Sequence, residues 1–154
     1  SKTVSQYILG LSKKKTIVLR PGTWESTAQE LKSNKPFVMW SDPRNKIQRD
    51  LWALVALASK LLKKYKKDPS FQWARMHLDQ GLISCTFWWA SARKPSDFSP
   101  LTWHPDMIDN GVEELVRSVR SLQRATSQEK IQAEKLYLEV KKNTWMIHWK
   151  KYSK

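Results

Sequence analysis

Three histidines (His77, His104 and His148) and one cysteine, Cys85, are the side chains best suited to metal or covalent chemistry. A zinc site takes His and Cys ligands at short, recurring spacings. No pair here falls at such a spacing, so neither a metal nor another cofactor is expected. The stretch His104-Pro105-Asp106, with Glu113-Glu114 and Lys130 downstream, offers the residue types of a metal-dependent nuclease. That chemistry wants an acid and a lysine on paired strands. Glu113 and Glu114 instead open a helical pattern, where acids complement the positive end of the helix dipole. Cys85 sits in the apolar run Leu82-Ile83-Ser84-Cys85-Thr86-Phe87-Trp88-Trp89 and reads as a small buried hydrophobe. Glycine-rich phosphate loops are absent. The chain reads as a non-enzyme.

What remains is charge. Twenty-eight lysines and arginines against fourteen acids give 154 residues a formal charge of +14. A surplus of that size speaks to partners rather than to fold, and its natural partner is a polyanion. It is unevenly spread. Residues 1–67 hold fifteen cations and four acids, a surplus of eleven; residues 68–154 hold thirteen and ten, a surplus of three. The anion-seeking groups are therefore Lys13, Lys14, Lys15 and Arg20, then Arg44, Lys46 and Arg49, then Lys60, Lys63, Lys64, Lys66 and Lys67. Such cations bind phosphates by releasing condensed counterions, an affinity blind to base sequence and steeply weakened by salt. No RNP, KH, zinc-finger or leucine-zipper signature supplies base readout. DNA and RNA, single or double stranded, stay equally open.

Nine tryptophans accompany the charge. Trp52, Trp73, Trp88 and Trp89 lie in apolar segments and are expected in the core. Trp24, Trp40, Trp103, Trp145 and Trp149 stand beside prolines, loop residues or charges and are expected to be partly exposed. Exposed aromatics next to lysines can stack on unpaired bases or rest at a lipid interface. They also concentrate at the centres of protein interfaces, and Trp24, Trp40, Trp145 and Trp149 are taken as subunit contacts.

Positioning these groups falls to helices. Four glycines are too few for the many turns of a β-sandwich or barrel. The expected fold is mainly α: a bundle of four to five principal helices over residues 23–154, behind a basic, partly extended arm at 1–22. Thr23 is the expected cap of a short helix reaching Asn34. Ser41-Asp42-Pro43 announces the strongest helix, to about Lys67, with Ile47, Leu51, Leu54, Val55, Ala58, Leu61, Leu62 and Tyr65 on its inner face. Phe71 to Gln80 is a further helix, while periodicity leaves residues 82–92 between buried helix and buried strand, the short loop tilting the balance to helix. Pro105-Asp106 opens a single turn ending at Asn110-Gly111, and a helix follows from Val112 to Ala125. Thr126-Ser127-Gln128-Glu129 matches a capping box, starting a last helix with one apolar stripe through Ile131, Leu138, Trp145 and Trp149. A second stripe, Leu136, Val140 and Ile147, runs beside it.

An arm bearing Lys13-Lys14-Lys15 and Arg20 ahead of a helical bundle resembles the small helical coat (nucleocapsid) proteins of filamentous or rod-shaped viruses. The resemblance is one of architecture and implies many identical subunits along a genome, gripping its backbone irrespective of sequence. The expected function is thus a structural protein that coats nucleic acid and self-assembles through aromatic helical faces. Two other classes use the same features: a matrix-type protein on anionic lipid headgroups, and an adaptor working through protein contacts. No segment approaches the roughly 20 apolar residues of a membrane span, and no secretory signal is visible. A virion or intracellular location is expected.

Overall fold

A computed structural model describes residues 3–10, 19, 21–93 and 101–152. Among them the chain is mainly helical and contains no strand. Short α1 (Val4–Leu9) and α2 (Ala28–Lys32) precede α3 (Lys46–Lys64), α4 (Phe71–Gly81), α5 (Ser84–Trp89), α6 (Pro105–Ser121) and α7 (Ser127–Ile147). A π-turn, His148–Tyr152, prolongs α7. Of the basic, partly extended arm expected at 1–22, residues 1–2, 11–18 and 20 lie outside the described residues.

The caps explain where these helices begin. Thr27, not Thr23, opens α2 through a reciprocal capping box with Glu30, whereas the Thr23 hydroxyl is spent in a turn with Ser26 and Glu25. Asn34 ends that turn of chain in the left-handed region, at φ 54°, a conformation asparagine tolerates well. Pro43 does not start α3. The Asp42 carboxylate holds the Arg44 N–H at 2.9 Å, and Asn45 then caps the helix by accepting from the Gln48 N–H. Thr126 and Glu129 form the expected capping box of α7.

Inside, Ile47, Leu51, Leu54, Val55, Ala58, Leu61 and Leu62 of α3 meet Ala74 and Leu78 of α4 and Phe87 of α5. Ile108, Val112, Leu115, Val116 and Val119 of α6 complete that core with Ala133 and Val140 of α7. Each fully buried leucine contributes about 2 kcal/mol. Tyr65 is only half-buried.

Three further expectations are corrected. The single turn at Pro105 is the first turn of one continuous helix, and Gly111 lies inside it because a Cβ there would overlap the Thr86 side chain of α5. The glycine is a seat for a neighbour, not a break. In α7 the stripe through Ile131, Leu138 and Trp149 faces solvent. Its buried side is Ala133, Val140 and Thr144, small residues that let α7 approach α3 and α6. Finally, Trp52 and Trp73 are not core: they are 38% and 63% exposed.

Two buried polar side chains tie loops to this core. The Gln48 amide donates to the carbonyls of Met39 (2.7 Å) and Phe87 (2.9 Å) and accepts from the Asp42 N–H (2.8 Å). Asp68, after α3, accepts N–H bonds from Ser70 (2.8 Å), Gln123 (3.3 Å) and Arg124 (2.8 Å). Burial pushes that carboxyl up, but the amides of Arg124, Ser70 and Gln123 together hold it below its usual value. Buried polar groups must be so satisfied, and here the bonds fix the α6–α7 turn against the end of α3.

Candidate nucleic-acid interface

Residues 51–67 contain no acid, and the end of α3 they form carries the densest charge of the chain. Lys60, Lys63, Lys66 and Lys67 are exposed. None of the four forms an ion pair with an acid among the described residues. Lys64 differs. Its ammonium lies 2.7 Å from Glu129 of α7 and 4.9 Å from the centre of the Tyr65 ring, while the Tyr65 hydroxyl donates to the other Glu129 oxygen at 2.8 Å. The Lys64 bond above all, with the Thr126 amide and the Tyr65 hydroxyl, holds the Glu129 carboxyl down at about 2 against the cost of burial. Lys63, Lys66 and Arg75 edge a groove of about 430 Å³ whose apolar lining is Leu62, Phe71 and Leu78. Arg75 is itself paired with Asp79 at 2.8 Å.

The start of α3 carries the same residue types in another state. Arg44 grips Asp42 through two bonds, Nε to Oδ1 at 3.1 Å and a terminal nitrogen to Oδ2 at 3.0 Å. Lys46 bridges Asp50 (2.7 Å) and Glu139 (3.2 Å). Arg49 has no acidic partner among the described residues; its guanidinium donates to the Pro43 carbonyl at 3.2 Å and is exposed. Lys13, Lys14, Lys15 and Arg20 lie outside the described residues.

Most other acids are also held internally. Glu30 meets Arg93, Asp109 meets Lys141, Glu114 meets His77 and Arg117, and Glu113 and Glu134 share Arg120. Among the described residues the uncompensated positive charge therefore falls on the α3 end, on Arg49 and on scattered surface cations. Among the described residues, no three of His, Cys, Asp and Glu gather where they could hold a metal ion. Asp106, Glu113 and Glu114 rise along one helix, α6, and the His104 ring caps that helix on the Met107 N–H at 3.4 Å.

Five of the nine tryptophans form two surface groups. Trp24 is 78% exposed and meets half-buried Trp40 edge to face at 5.6 Å. Trp52 lies next to them. Its indole N–H donates to the Trp40 carbonyl at 2.9 Å, and its ring stacks on buried Phe87 at 4.5 Å. At the other site, half-buried Trp145 stacks at 6.2 Å with Trp149, which is 66% exposed, and both flank His148. Trp88 and Trp89 are half-buried and in mutual edge contact. The apolar segments around Trp52 and Trp73 suggested burial, yet neither residue belongs to the three-and-four series that marks the inner face of its helix. That periodicity was the signal that could have placed both outside. Gln48 and Asp68 gave no signal at all.

Comparison with protein-family models, curated proteins and solved structures finds no match to this chain.

Proposed function

We propose that this protein coats nucleic acid, laying its cations on the phosphate backbone without reading sequence. The observation that carries this is the set of four exposed, unpaired lysines, Lys60, Lys63, Lys66 and Lys67, in a molecule whose acids are largely engaged with other cations of their own chain. In sequence, Lys13, Lys14, Lys15 and Arg20 add four more cations to the first half of the chain. In this reading the chain is a bundle of four to five principal helices behind a basic arm, and copies pack along the polymer through the Trp24/Trp40 and Trp145/Trp149 faces, in the manner of viral coat proteins. No step of covalent chemistry is involved.

Titration against single- and double-stranded oligonucleotides across a salt series tests this. A log–log slope of affinity on salt of about −3 or steeper, the same for unrelated sequences, is expected from four or more phosphate contacts. A flat salt dependence defeats the proposal. Imaging of the protein with and without nucleic acid reads the assembly, and filaments are expected only in the mixture.

The groove beside Lys63, Lys66 and Arg75 supports a second reading, an anionic membrane surface, because its apolar lining suits an acyl chain below a phosphate. No helix among the described residues is long and apolar enough to cross a membrane, so attachment would be peripheral. Nuclease-resistant flotation with anionic vesicles, without oligonucleotide binding, selects this reading instead.

A further inference from the structure

We infer that Trp52 is a fixed stacking platform for an unpaired base, and hence that the polymer bound along α3 is single stranded. The inference rests on the nucleic-acid reading above and goes past it, since lysines alone do not distinguish a strand from a duplex.

Trp52 is both exposed and immobilised. Phe87, 2% exposed, backs the ring at 4.5 Å with the two planes 25° apart, and the indole N–H is bound to the Trp40 carbonyl. A large side chain ordinarily gives up rotamer freedom on binding. Here the fold has already removed it. The residue is 38% exposed, and the neighbouring outward positions of α3 itself are small, Ala53 and Ala56. Ala56 is one turn on, and side chains of a helix lean toward its N-terminus, so position 56 overhangs position 52.

Charge complements that open surface. Arg49, one turn before Trp52, and Lys60, about 12 Å beyond it along the axis, are exposed and free of acidic partners among the described residues. No acid occurs between them except Asp50, which Lys46 neutralises at 2.7 Å. A strand following α3 therefore meets cations on both sides of an aromatic face. Duplex DNA keeps its base faces inside the stack and offers the ring only edges and sugars. An unpaired base offers a face, and such stacking is sequence-tolerant because every base has one. The platform thus agrees with the absence of any base-reading motif.

Three probes of equal length test it by fluorescence anisotropy: a single strand, its duplex, and an abasic strand with the same phosphates and no bases. The unaltered protein is expected to bind the single strand about tenfold more tightly than either of the others at raised salt. Ala56→Gln, which covers the ring without touching the core, is expected to remove that tenfold preference. It leaves abasic and duplex affinities within about twofold. Trp52→Leu is expected to do the same, with folding checked by far-UV circular dichroism. If Ala56→Gln binds all three probes as the unaltered protein does, the platform is refuted while backbone binding stands. Loss of salt-dependent binding to every probe would sink the nucleic-acid reading itself, as would binding confined to anionic vesicles.

Discussion

The two ends of α3 carry similar cations and behave as opposites. At its start, Arg44 and Lys46 are closed onto Asp42, Asp50 and Glu139 of their own chain. At its end, Lys60, Lys63, Lys66 and Lys67 meet no acid among the described residues, whereas Lys64 reaches Glu129. About 27 Å of helix separates the first and last residues. A lysine count thus measures charge but not availability, because availability depends on local acids such as Asp42 and Asp50 and on which helix packs alongside. Glu139 and Glu129 both belong to α7, and where α7 places them decides which cations remain open.

The largest effect expected from breaking this contrast is on binding. Reversing Lys60, Lys63, Lys66 and Lys67 to Glu is expected to lower polyanion affinity at least about 1000-fold near 0.1 M salt and to flatten the salt slope by about 3. Arg44→Ala with Lys46→Ala is expected to move that slope by less than 0.5 (about half of one phosphate contact). Equal losses from both variants would erase the distinction between the ends.

Next in size is Asp68→Ala. It leaves three part-buried amides without their acceptor, and hydrogen bonds to a charged group are the costly ones to lose. A stability loss of about 3 kcal/mol in urea unfolding is expected, with the basic end no longer held to the α6–α7 turn. Lys46→Met is milder: an ion pair this exposed is worth at most about 1 kcal/mol, and polyanion affinity is expected to stay within twofold.

A further effect is a pH dependence at the one closed site of the basic end. Glu129 titrates near 2 in the folded chain and near its ordinary value of about 4.5 when unfolded. Its contribution is therefore complete above the ordinary value and fades as pH falls toward 2. Glu129→Gln is expected to remove that part of the acid slope in denaturant midpoints measured from pH 6 to 2. An unchanged slope would mean that Lys64 is as open as its neighbours.

Much of this organisation was legible before any coordinates. The inner face of α3, from Ile47 to Leu62, followed from three-and-four spacing, and so did the α6 series from Val112 to Leu122. The capping box at Thr126 placed the start of α7. Misreadings came where local signals competed. Gly111 looked like a stop because only Thr86, twenty-five residues earlier, explains it. Alpha7 offered two apolar stripes, and the second, Leu136, Val140 and Ile147, is the one that packs on the core, beside Ala133. Trp52 was assigned by its apolar neighbours, although its register on the helix pointed outward.

What the sequence determined by itself is therefore periodic or additive: helical repeat, capping chemistry and the excess of positive charge toward the front of the chain. Tertiary structure alone decided which cations find acids distant in sequence, which glycine admits a neighbour and which tryptophan stands clamped at the surface. The physical reason is range. Backbone hydrogen bonds and caps close within four residues, whereas Lys46 with Glu139, Lys64 with Glu129 and Trp52 with Phe87 join residues that only the packing of α3 against α5 and α7 brings within a few ångströms.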